Sequence, residues 1–157
     1  MAKDAQDLWW GLYQENLIHA RHHEQQRTSI TAFFAAVGAA ILGIVGLDKC
    51  VSQADSPLLA MLFALGVFGA LLTAKQYERY THHMERARQY RNALEKSVPG
   101  SNLEELKQSG DAIAAKAHPR LSKLKLVNFW VLLHLLSSAL ALVLFLIGQY
   151  GLLKCSP

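Results

Sequence analysis

The sequence predicts an all-α membrane protein: three transmembrane helices, with the first two prolonged into a cytoplasmic helical hairpin stalk. Three observations predict it. Apolar residues are gathered into three blocks without acid, lysine or arginine; the polar segments beside the first two blocks keep helical spacing and contain no proline; and the basic residues fall almost wholly on one side of those blocks.

The blocks are 28–47, 56–74 and 126–153, of 20, 19 and 28 residues. A helix needs about 20 apolar residues to cross a hydrocarbon core of about 30 Å. Mean hydropathy is only +0.14 although 52% of the chain is apolar, so it is clustering, not average composition, that assigns the class. A secretory signal is a poor reading of the first block, since a long polar segment precedes it and no small-x-small processing site follows. Among the basic residues, Lys3, Arg21 and Arg27 precede the first block, eleven lie in 75–125, and only Lys49 and Lys154 fall elsewhere. The excess of Lys and Arg on the cytoplasmic side of membrane proteins then places the N-terminus and 75–125 inside, and the loop 48–55 and the C-terminus outside. A net charge of +4 is read as topology and contact with anionic lipid, and no nucleic-acid partner is expected.

Taken in order, residues 1–27 form the first stalk helix. Leu8, Trp10, Leu12, Tyr13, Leu17 and Ala20 recur at helical spacing and run unbroken into the first span, 28–47. About 24 residues before the span correspond to about 36 Å of helix. After the outer loop, Pro57 suits a first helical turn, and the second span, 56–74, continues into KQYERYTHHMERARQYRNALEKSV. There Tyr77, Tyr80, Met84, Ala87, Arg91, Leu94 and Val98 alternate at three and four residues, the seam of a paired helix. Two such extensions leaving the membrane side by side should pack on each other. PGSN at 99–102 reads as a turn with Ser101 or Asn102 as cap, followed by a short helix through Leu103, Leu106 and Ile113 that Pro119 ends. The segment 75–125 thus completes the cytoplasmic part, with Arg120, Lys123 and Lys125 anchoring the third span, 126–153, at phosphate level.

Within the spans, Ala35, Ala39 and Gly43 in the first and Gly66, Gly69 and Ala70 in the second permit close helix contact. The third span is leucine-rich and reads as lipid-facing or peripheral. Its one ionisable group, His134, is expected as a neutral imidazole hydrogen-bonded to a serine or a backbone carbonyl, with a water-lined path as the sharper alternative. The absence of acids from all three blocks argues against a proton-coupled transporter.

No nucleophile sits beside a base and no phosphate loop is present, so the chain is not expected to be an enzyme or to need a cofactor. Glu15, His19, His22 and His23 on the first stalk helix, with Glu78 and His82 on the second, carry ligand types that bundle metal sites use. The competing reading of these histidines is pH sensing or hydrogen bonding across the stalk. Arg79, Arg86, Arg88 and Arg91 are candidates for an anionic signal or partner, weighed against a solvated charged face.

Tyr13-x-Glu15, the basic and histidine residues before a span led by Phe33 and Phe34, the short outer loop, and the second span running into YERYTHHMERARQYRNALE together resemble the SLATT family. Those are bacterial two-helix membrane effectors associated with nucleotide signalling and antiphage defence, and the pattern is also similar to small oligomeric membrane proteins of the RipA kind. The resemblance covers residues 10–98. It implies a homo-oligomer in the bacterial inner membrane that forms a pore, an ion channel, or otherwise perturbs the membrane on a cytoplasmic signal. The third span departs from the two-span form. With no fused sensor domain, the signal is expected from a separate signalling protein or a nucleotide second messenger. Thr31, Phe33, Phe34, Ala35 and Gly38 are the pore or gate candidates, the two phenylalanines forming an apolar constriction. A non-conducting scaffold recruiting a soluble partner is the alternative function.

Cys50 and Cys155 both fall on the outer side, where a disulfide between them is permitted; two unpaired thiols, or bridges between subunits, compete with it. A non-reducing gel of wild type beside Cys155→Ser separates these readings. A mobility change with a newly free thiol marks the intramolecular bridge, and identical mobility with unchanged thiol content removes it.

Overall fold

A computed structural model describes residues 3–47, 50–98, 100–120 and 123–151. Among them are four α-helices and no strand: α1 (Lys3–Gly46), α2 (Ser56–Ser97), α3 (Leu103–Ala117) and α4 (Leu126–Tyr150), with one 3₁₀ turn at Gln53–Asp55. α1, α2 and α4 are each long and apolar enough to cross a membrane. At 1.5 Å per residue, the 44 residues of α1 and the 42 of α2 extend about 66 and about 63 Å, roughly twice a hydrocarbon core. Each helix therefore has far more length than lipid requires. The expected Cys50–Cys155 bridge lies partly outside the described residues, because Cys155 is not among them.

The chain divides into two compact units, Met1–Gln25 with Gln76–Leu126, and Gln26–Lys75 with Val127–Pro157. α1 and α2 contribute a segment to each.

In the first unit the two segments run antiparallel: Gln6 meets Ser97, Asn16 meets His83, and His23 meets Gln76, so each step forward on α1 is a step back on α2. Its fully buried apolar side chains are two alanines, Ala20 and Ala87, 1% and 2% exposed. The expected seam is half-buried from Tyr77 to Leu94, but Val98 is exposed. At the end of the pair the Gln6 amide donates to the Ser97 hydroxyl (3.1 Å) and carbonyl (3.3 Å). The turn that follows carries Gly100 at φ +77°, a left-handed conformation that glycine adopts without steric cost. Asn102 occupies the N-cap position of α3 but makes no side-chain capping bond. Glu95 of α2 does that work, accepting the Glu104 N–H at 3.0 Å. No residue of α3 is buried.

In the second unit the core is Ile41, Val45, Leu59, Leu62 and Ala141, one cluster drawn from α1, α2 and α4. Gly38 abuts Leu62, and Phe34 faces Phe68 at 6.1 Å between ring centres. The leucines of α4 are largely exposed, as expected for a peripheral helix, while one stripe of mostly small or polar residues, Val127, His134, Ser138, Ala141 and Gly148, is buried. Those small residues let α4 approach α2: the Ser138 hydroxyl donates to the Phe63 carbonyl at 3.0 Å, and the Gln149 amide to the Ser56 hydroxyl at 2.7 Å. The glycines of α2 serve this contact. A Cβ at Gly66 would stand 2.2 Å from the Ser138 oxygen and 2.8 Å from the His134 carbonyl, whereas one at Gly43 of α1 would meet nothing within 4 Å. Before α2, Ser52 caps the 3₁₀ turn: its hydroxyl accepts from the Ala54 N–H, and its own N–H donates to Asp55 at 2.8 Å.

Gly66→Ala is therefore expected to cost about 1–3 kcal/mol through overpacking, while Gly43→Ala, a gain in helix propensity in open space, costs nothing. Thermal unfolding of both variants in detergent checks this; equal transitions would show that α4 does not approach α2 at Gly66.

Candidate functional site

Three imidazoles of the first unit come together. The His83 ring stacks with His19 (centroids 5.1 Å, planes 27° apart) and with His23 (5.5 Å, 22°). His19 and His23 lie one turn apart on α1 and so reach the same neighbour. Hydrogen bonds hold two of the rings. His23 Nδ1 lies 2.7 Å from Gln76 Oε1, and His83 Nδ1 lies 3.0 Å from Asn16 Oδ1. Asn16 is itself fixed, since its amide nitrogen donates to the Leu12 carbonyl at 2.8 Å. With its nitrogen engaged, Asn16 presents its oxygen to His83, so neutral His83 carries its proton on Nδ1. Burial, first, and then the positive charges of His19, His23, His82 and Arg86 hold His83 below the ordinary histidine value.

This corrects the expected pairing. The residue of α2 that meets His19 and His23 is His83, not His82; His82 is exposed and meets His83 edge-on (5.9 Å, 74°). His22 and Glu78 are exposed as well, and Glu15 approaches only His19, at 3.7 Å. Among the described residues no group of three or more His, Cys, Asp or Glu side chains is placed to hold a metal ion. The cluster is instead held by stacking and amides, and Asn16, Gln76 and His83 are the members that sequence reasoning missed.

The four arginines do not form one site. Arg79 and Arg86 are exposed, and Arg88 is engaged by Glu85 at 2.7 Å. Arg91 is half-buried and spent internally, donating to Glu104 of α3 and, at 3.3 Å, to Asn92. Its partner ties α3 to the helix pair.

In the second unit, Thr31 is buried and its hydroxyl lies 3.3 Å from His134 Nε2, so the partner of the buried imidazole is a threonine. Phe34 turns inward, edge-on to His134 at 5.9 Å, whereas Phe33 is 62% exposed. The two phenylalanines thus point differently. Thr31, Phe34, Ala35 and Gly38 line a crevice of about 250 Å³ between α1, α2 and α4, together with Leu62 and Ser137; Phe33 is outside it.

Arg91→Ala is expected to loosen α3 by about 1 kcal/mol, the scale of a partly exposed ion pair. Limited proteolysis after residue 98 should then run about fivefold faster, and unchanged cleavage would show that Glu95 alone fixes α3.

No family model, curated protein or solved structure matches this chain.

Proposed function

We propose that the protein is an oligomeric effector of the bacterial inner membrane that opens a pore or perturbs the bilayer when its cytoplasmic helix pair receives a signal, in the setting of antiphage defence. In this reading α1, α2 and α4 span the membrane, the N-terminus and residues 75–125 lie in the cytoplasm, and the first unit is the receiving stalk. The signal comes from a separate signalling protein or a nucleotide.

The observation that carries it is the outer face of α1. Ala32, Ala36, Ala39 and Gly43 are all exposed there, and neither Gly43 nor Gly46 has any atom of its own chain near its Cβ direction. In lipid, where apolar surface alone gives little drive to associate, small residues are what allow helices to pack closely. Gly66 and Gly69 of α2 are already used by α4, and Gly38 of α1 by Leu62; Gly43 and Gly46 of α1 remain for another copy. Four of the five candidate pore residues share one crevice, which favours a path beside α1 rather than one closed by both phenylalanines.

Ion flux from liposomes, with mass measurement in lipid discs, tests this. Flux above empty liposomes from a multimer is expected, and Ala36→Leu with Gly43→Leu should reduce both multimer and flux at least tenfold. A monomer that stays silent with every candidate signal would end the proposal.

A second reading, a non-conducting scaffold, is favoured by α3. Its apolar residues Leu103, Leu106 and Ile113 are 48%, 59% and 68% exposed and recur at three and seven residues, as on one helical face. Co-purification of a soluble partner through α3, without any change in permeability, would select it.

A further inference from the structure

We propose that His83, stacked against His19 and His23, makes the first unit a proton-operated clasp, closed while the His83 ring is neutral and released when it takes up a proton. The clasp concerns this unit by itself; only its consequence, that the proton is a signal to the membrane part, rests on the function proposed above.

Among the described residues of this unit the fully buried apolar side chains are Ala20 and Ala87, with Leu12, Leu17, Tyr77, Tyr80, Met84 and Leu94 half-buried. At the middle of the pair the contact is polar: the imidazole stack and its two amide bonds, Asn16 to His83 and Gln76 to His23. A charge taken up there opposes closure at the contact that sets the register of the pair.

The surroundings oppose such a charge. From α1, His19 and His23 face His83; from α2, His82 and Arg86 act on it, and each of these disfavours its positive form. Of the nearby acids, Glu15 approaches His19 at 3.7 Å, on a ring beside His83 and not on His83 itself, and Glu85 is engaged by Arg88. Face-to-face rings at 5.1 and 5.5 Å suit neutral imidazoles and repel once two carry charge.

The sign follows from linkage. Packed His83 binds its proton less readily than the same residue in a parted pair, whose ordinary value is 6.5. Closure is fully favoured above that value. As pH falls below it the parted state gains protons that the packed state refuses, and closure is lost as pH falls through the lowered value. A single such group changes the open-to-closed ratio at most tenfold per pH unit, and coupled groups change it more steeply.

The test uses the full chain in lipid discs of phosphatidylethanolamine and phosphatidylglycerol. Spin labels are introduced as non-canonical residues at exposed Gln14 and Gln89, leaving the native cysteines untouched. Between about pH 7.5 and about pH 5.5, on either side of the ordinary histidine value, the wild type should shift from a short to a long inter-label distance. The open-to-closed ratio should rise severalfold, with about tenfold the ceiling for one such group over this range. A triple variant, His19→Gln, His23→Gln and His83→Gln, should show no response to acidification, whichever state it occupies. His118→Gln, a histidine outside the cluster, should respond as wild type. A wild-type distance unchanged over this range, or a triple variant that still opens, overturns the clasp. Flux measured in parallel separates the two ideas: opening without flux removes the pore and leaves the clasp, and flux with a pair closed at both values removes the clasp and leaves the pore.

Discussion

Because α1 and α2 each continue for more than forty residues without a break, each has to offer a packing face to both compact units. A continuous helix keeps a fixed periodicity, so whatever residues fall on the inward positions must serve as the interface. On α2 the inward positions are Leu59, Leu62, Gly66, Gly69 and Thr73, then Gln76, Tyr80, His83 and Ala87, alternating at three and four residues as in a coiled coil. On α1 the buried positions Asn16, Ala20, Arg27, Thr31, Gly38, Ile41 and Val45 obey the same kind of rule. The interface changes chemistry along the helix because its surroundings do. Leucine, glycine and threonine serve the apolar stretch, where close approach matters; asparagine, glutamine and histidine serve the other.

That periodicity explains what the sequence could and could not reveal. The helical class and the three helices long and apolar enough to cross a membrane were legible because clustering of apolar residues needs no knowledge of partners. The site was half legible. His19 and His23 drew attention as a histidine-rich stretch, but a search for apolar seam residues in TyrThrHisHisMetGlu selects Met84 and passes over His83 beside it. The phase set by Leu59, Leu62, Gly66 and Gly69, carried forward unchanged, lands on Gln76 and His83. It is a polar seam, and a rule that equates inward with apolar misses it. Asn16 was hidden for the same reason.

In the third apolar helix the leucine-rich composition pointed to a peripheral helix and did not reveal the stripe by which α4 packs. His134, Ser138 and Ala141 stand at four and three residues, and it is the small or polar minority that packs, while the leucines remain exposed. Leucine cannot enter where Gly66 and Gly69 have removed their own side chains to admit Ser138 and His134. Glycines in a membrane helix announce that something approaches closely; they do not say whether it is a neighbour in the same chain or another copy. Here α2 spends its glycines on α4, while Gly43 and Gly46 of α1 stay open.

The same reasoning bears on why the first unit is closed by polar groups at all. Leucines at the positions of Asn16, His83 and Gln76 would bury more apolar surface and hold α1 and α2 together more firmly. A pair so joined would have one state under all ordinary conditions. Amides and neutral imidazoles contribute only modest net stability, because water offers each of them equivalent hydrogen bonds when the pair parts. They do enforce register, since Asn16 can satisfy both Leu12 and His83 in one alignment only. Such an interface specifies how the helices meet while leaving the free energy of meeting small, which is the condition under which a change of charge can decide between two states.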